Sequence, residues 1–127
     1  MSTAMTNPTH LSYTAEHEWL ETRGDVARIG VTAFATEALG DIVFVELPEV
    51  GTKITGGESC GELESTKSVS DIFAPADGEI LEVNAAVVED PALINSDPFG
   101  AGWLFEMRVS GAPELLDAAA YDALIEE

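Results

Sequence analysis

A chain of 127 residues with 46% hydrophobic side chains has the length of one domain and enough apolar material to bury a core. Its 24 acidic residues against five lysines and arginines give a formal net charge of -19, a surface that repels nucleic acid and anionic membranes and favours basic partner surfaces. The one cysteine, Cys60, excludes an internal disulfide framework, and no apolar run is long enough to span a bilayer.

Residues 1–10 lack a positive n-region, an apolar h-region and an Arg-rich amphipathic pattern, and read as a flexible lead to a single domain over 11–127. A bacterial cytoplasm is expected, or the mitochondrial matrix for a mature chain without its targeting segment. Short strands begin near Tyr13. Trp19–Leu20 and Val26–Val31 flank Arg23-Gly24-Asp25, a hairpin turn. Thr32 caps a brief helix through Leu39, which Gly40 stops. The run Asp41 to Leu47 is almost continuously apolar and β-branched, as in a strand buried on both faces.

Gly56-Gly57 marks a turn. Cys60–Ser65 and Val69–Phe73 are strand-like runs on either side of Thr66-Lys67-Ser68. Pro75 to Gly78 turns into a strand over Glu79–Asn84, and Pro91–Ile94 reads as a single helical turn. Trp103, Phe105, Met107 and Val109 alternate with Leu104, Glu106 and Arg108, a half-buried strand. Pro113 suits the first position of a terminal helix, with Leu116, Ala120 and Leu124 as its docking stripe. The sum is a mainly β barrel or sandwich with a short internal helix and a C-terminal helix.

Catalytic constellations are scarce. His10 and His17 have no metal-ligand spacing, so no metal is expected; there is no phosphate loop and no GxSxG elbow. Cys60, on a strand, reads as a small core residue. Lys67 is different: one of only two lysines, it sits at a hairpin tip between small polar neighbours, near Glu62, Glu64 and Asp71. Carboxylates stabilise a charged ammonium, whereas a Schiff-base lysine needs its charge destabilised. Lys67 therefore suits modification by another enzyme better than nucleophilic work of its own. From position alone, an ordinary exposed turn lysine is the better account.

Five ordered blocks change that balance. The segment Glu64-Ser65-Thr66-Lys67-Ser68-Val69-Ser70-Asp71, followed by Ala74-Pro75 and Gly78-Glu79-Ile80, resembles the lipoyl-attachment hairpin of glycine cleavage H proteins. Tyr13-Thr14 with His17-Glu18-Trp19 is similar to the family's opening motif. Gly30-Val31-Thr32 with Ala38 to Pro48, the run from Pro91 to Trp103, and Tyr121 to Leu124 resemble its later blocks. Two departures stand out: Glu16 replaces a small residue before the opening motif, and Ala38 stands where some members carry a polar one.

The resemblance implies a lipoyl-domain-like barrel–sandwich hybrid. It implies a carrier and not an enzyme, with (R)-lipoate on Lys67 as N6-lipoyllysine and Glu64, Ser65, Ser70 and Asp71 recognised around it. The implied partners are a pyridoxal-phosphate glycine decarboxylase (P protein), which passes an aminomethyl group to the arm, a tetrahydrofolate-dependent aminomethyltransferase (T protein), dihydrolipoyl dehydrogenase (L protein) and lipoyl-attaching enzymes. The carrier itself is expected to be a monomer. Glu18 and Asp71 are candidates to hold the loaded arm's amine; the plainer reading makes Glu18 a surface strand residue and Asp71 a turn stabiliser. Rival readings are a lipoyl domain of a 2-oxoacid dehydrogenase, a biotin carrier (against which Thr66-Lys67-Ser68 argues), an H-like protein relaying lipoyl groups, and an unmodified acidic interaction module.

Overall fold

Antiparallel pairing dictates the architecture, a computed structural model that describes residues 6–111 and 113–126. Strands β1 (Ser12–Tyr13), β2 (Glu18–Arg23) and β3 (Val26–Val31) are followed by helix α1 (Ala33–Leu39) and strand β4 (Ile42–Glu46). Then come β5 (Lys53–Ile54), β6 (Ser59–Ser65), β7 (Val69–Phe73) and β8 (Asp77–Val83). Helices α2 (Ala85–Glu89) and α3 (Ala92–Ser96), strand β9 (Phe105–Ser110) and helix α4 (Ala118–Ile125) complete the chain. The strands form one sheet in the order β1-β2-β3-β9-β8-β5 and a second in the order β4-β6-β7.

Period-2 alternation builds the core. Leu20, Ala27, Ile29, Ile80, Phe105 and Met107 from the larger sheet meet Val45, Leu63 and Ile72 from the smaller one in a single buried cluster. Apart from Ala27, each such side chain contributes about 1.5–3 kcal/mol by leaving water. A second cluster joins Leu11, Tyr13 and Trp19 to Ala118 and Tyr121, seating α4 against the edge of the larger sheet. This is the expected mainly β barrel–sandwich with an internal and a terminal helix.

Local chemistry explains several element boundaries. Thr32 accepts from the Ala35 N–H and Gly40 takes φ 87°, so α1 begins and ends where the sequence places it. The β2–β3 hairpin closes with Arg23 opposite Val26, leaving Gly24-Asp25 as a two-residue turn with Gly24 at φ 64°.

Other expectations need correction. The run at β4 is not buried on both faces: Val43 and Phe44 are 52% and 54% exposed, because β4 is an edge strand whose register shifts between Ile42 and Phe44. The terminal helix does not begin at Pro113. Leu116 pairs with Tyr13 through two 2.7 Å backbone hydrogen bonds, which holds it extended, and Asp117 then caps α4 by accepting from Ala120. Its buried face is Ala118 and Tyr121, while Leu124 is 42% exposed. Helix α2, which periodicity did not reveal, is capped by Asn84, whose amide also donates to the Ala101 and Trp103 carbonyls. Within the expected flexible lead, Asn7 is buried and donates to Asp122, and the Pro8 carbonyl accepts from Tyr13; residues 1–5 lie outside the described residues.

Candidate functional site

The β6–β7 hairpin presents Lys67 on a turn that one serine organises. Ser65 Oγ accepts from the backbone N–H groups of Lys67 (3.1 Å) and Ser68 (3.0 Å) and donates to the Ser68 carbonyl (3.1 Å). The Ser65 N–H donates to the same carbonyl at 2.8 Å. Few donors are left free, so the tip has a defined shape although Lys67 and its neighbours are exposed.

The tip is also tied to the rest of the fold. The Thr66 N–H donates to the Asp41 carbonyl at 3.0 Å. Asn95, from α3, clamps the same segment: its Oδ1 accepts from the Ile42 N–H and its Nδ2 donates to the Gly40 carbonyl, both at 2.9 Å. A Cβ built on Gly40 would stand 3.2 Å from Lys67 Cε, so the lysine stem lies over the C-terminal end of α1. The negative end of the helix dipole favours a cation there. Among the described residues Lys67 makes no ion pair.

Alongside α1 runs a cavity of about 190 Å³. Phe34, Ala35, Ala38 and Leu39 supply its helical wall, Val31 and Leu63 more of its apolar lining, and Glu16, His17, Glu18, Ser70 and Asp71 its polar side. Both departures from the family pattern, Glu16 and Ala38, line this slot.

Glu18 is 2% exposed, which corrects the reading of it as a surface residue. Its Oε2 accepts from the Phe73 N–H at 2.9 Å and its Oε1 from Thr14 Oγ1 at 3.3 Å. Burial outweighs both hydrogen bonds and pushes its carboxyl up to about 8. Asp71 is exposed and accepts from Ser59 Oγ at 3.3 Å. A slot with apolar walls and carboxyls at one side suits a hydrocarbon chain that ends in a cation.

The residues singled out from the sequence thus divide into three groups. Glu18, Ser70 and Asp71 meet in the slot. Ser65 shapes the turn instead. Glu64 stands on the outer face of the small sheet, level with Phe44 and Val69, and does not line the slot. Sequence reasoning missed His17, Phe34 and Leu63. Only the His17-Glu18-Trp19 block pointed toward that end, because the slot exists only once β2, α1 and β7 are assembled. Cys60 packs against the core, and burial, with the Glu18 charge adding to it, pushes its thiol up to about 12, far from a thiolate nucleophile.

Comparison with known proteins agrees over nearly the whole chain. Residues 11–127 match the family described as Glycine cleavage H-protein. The chain is 62% identical over 120 residues to the glycine cleavage system H protein of Beutenbergia cavernae, covering 94% of this chain and 97% of that one. To the protein of the same description from Thermobifida fusca it is 54% identical over 123 residues, covering 96% and 98%. Its fold is similar to the crystal structure of a glycine cleavage system H protein from Mycobacterium marinum, with a TM-score of 0.88 and 54% identity over 92% of this chain and 97% of that one.

Proposed function

The chain belongs to the glycine cleavage H-protein family, and from that premise we propose that Lys67 carries (R)-lipoate in amide linkage, as N6-lipoyllysine. The chain is a non-catalytic carrier of the glycine cleavage system, and its part is presentation, not bond making. When bound, the lipoyl group supplies a dithiolane that opens and closes reversibly by thiol chemistry. Everything else falls to this chain's own residues.

The observation that carries the reading is the placement of Lys67: exposed, on a turn fixed by Ser65, at the end of the helix that walls the slot. Ser65 and the Thr66–Asp41 bond fix the origin of the arm. The lysine stem with a lipoyl chain reaches on the order of 13 Å, and the seven residues of α1 span roughly 10 Å. The arm therefore has the length to lie along α1 with its end near Glu18, and equally to swing outward into a partner. Glu64, Ser65, Ser70 and Asp71 mark the turn for the enzyme that attaches the group, which would deprotonate Lys67 in its own site. The proposed partners are the glycine decarboxylase, the aminomethyltransferase and dihydrolipoyl dehydrogenase. With 24 acidic residues the chain repels a second copy of itself and suits basic surfaces on those enzymes, in a bacterial cytoplasm as a monomer.

Glu18 gives the slot a pH signature. A carboxyl raised to about 8 holds its proton at neutral pH while the slot is empty. A cationic amine entering the slot favours the carboxylate and displaces that proton, so retention of a loaded arm weakens as the pH falls below about 8. The same shift has an opposite sign for the empty fold. The native state binds the extra proton, so this stabilisation is complete below the ordinary carboxyl range. It is lost as pH rises toward about 8, by no more than about 1.4 kcal/mol per pH unit. Glu18→Gln should flatten that part of the stability profile and shorten the lifetime of the aminomethyl-loaded protein.

Reconstitution tests the function. With the three partner enzymes, the chain acylated by a lipoyl-attaching enzyme from lipoate and ATP should support glycine decarboxylation and Lys67→Arg, treated alike, should not; full activity from Lys67→Arg would refute the assignment.

A further inference from the structure

The slot has a support that lies outside it. Tyr121 belongs to α4, is fully buried, and does not line the cavity. Its hydroxyl nevertheless lies 2.8 Å from His17 Nδ1 and 2.8 Å from Thr32 Oγ1. His17 lines the slot, and Thr32 caps α1, its helical wall. One phenol therefore touches both the residue beside Glu18 and the first turn of the helix that ends beneath Lys67.

The backbone beside this contact adopts an uncommon conformation. His17 is the one non-glycine residue with positive φ, 68°, among the described residues, a conformation that costs roughly 1–2 kcal/mol for an L-residue. Its backbone is pinned at both ends, N–H to the Thr14 carbonyl and carbonyl to the Thr32 N–H. Its ring packs on Phe34 at 4.8 Å between centroids and meets the Tyr121 ring edge-on at 5.8 Å. Tyr121 in turn stacks on Tyr13 at 4.8 Å with an interplanar angle of 9°. The ring of Tyr121 thus has a packing partner that does not depend on its hydroxyl. Thr32 Oγ1 already accepts from Ala35, so its proton is free to point at Tyr121, and Tyr121 is then free to donate to Nδ1. With the bonds running in that direction, the His17 proton sits on Nε2; run the other way, Nδ1 donates to Tyr121 and Tyr121 to Thr32, and nitrogen-15 spectra read which tautomer is present. The titratable groups around this imidazole are Tyr121, which touches it, its chain neighbours Glu16 and Glu18, and Asp71 in the same lining; burial pulls its basicity down, which spares the slot a cation where a cationic amine is to be held.

We propose that Tyr121 is a positioning residue for the arm slot: from the terminal helix, its hydroxyl sets the tautomer and pose of His17 and anchors the first turn of α1, so that the slot keeps its shape for the loaded arm. The proposal rests on the reading that the slot receives that arm.

Two measurements on Tyr121→Phe test it. The substitution keeps the ring that stacks on Tyr13 and removes only the hydroxyl. In the unloaded protein, nitrogen-15 spectra of His17 should show one neutral tautomer for wild type and a mixture for the variant. In the loaded protein, the aminomethyl group should be lost about five-fold faster from the variant. If either readout fails to move, the proposal falls. Glu18→Gln is the control: a shortened lifetime there with no change in Tyr121→Phe overturns this inference alone, whereas no change in either removes the slot reading as well. Should Tyr121→Phe fail to fold, Thr32→Ser and Thr32→Val repeat the comparison, with wild-type behaviour expected of the first and fast loss of the second; equal behaviour of the pair refutes the role.

Discussion

The outer faces of the two sheets are built on opposite electrostatic plans. On the larger sheet Arg28 stands between Glu21 and Glu106, and Glu79 between Lys53 and Arg108, so cations separate most of the acids, although Glu82 faces Glu106 across β8 and β9. Arg28 bonds Glu106 at 2.8 Å and sits 4.3 Å over the Trp103 ring. On the smaller sheet Glu46, Glu62 and Asp71 lie abreast with no cation among them, next to a row of Phe44, Glu64 and Val69. Four of the five cationic side chains belong to strands of the larger sheet; the fifth is Lys67. Like charges abreast destabilise a sheet. The larger sheet is therefore arranged to hold the fold, and the smaller one gives up some stability to display an acidic, partly apolar surface around a single lysine.

The contrast can be broken from either side. The largest effect is expected at Gly78, where a Cβ would stand 2.0 Å from the Arg108 carbonyl oxygen of the neighbouring strand of the larger sheet. Gly78→Val should cost at least about 3 kcal/mol in denaturant unfolding, since backbone, not a movable side chain, blocks the space. Arg28→Met removes the cross-strand pair and the stacking on Trp103 together and should cost about 1 kcal/mol, read the same way. Glu62→Lys should do the reverse, raising stability by about 0.5 kcal/mol at low salt, a gain that 1 M salt removes. A loss of stability in Glu62→Lys would mean that the acidic row is structural after all.

These differences also explain what the sequence could reveal. The lysine hairpin, the Thr32 cap and the Gly40 stop depend on neighbours in the chain, and each lies where local chemistry puts it. The exposure of Val43 and Phe44 depends on which strand lies at an edge, a property of the whole sheet. Leu116 stands at helical spacing from Ala120, yet Tyr13, over 100 residues away, holds it extended. The candidate site divides along the same line. Lys67 and Ser65 act through adjacent backbone and are legible. The burial of Glu18 and the reach of Tyr121 to His17 arise only when distant segments meet.

The smaller sheet makes sense only if its lysine bears the arm, and intact mass measures that directly. Protein purified from a lipoate-competent host should carry one lipoyl increment, lost in Lys67→Arg and kept in Lys53→Arg. A wild-type mass without the increment, or an increment that survives Lys67→Arg, would contradict the account.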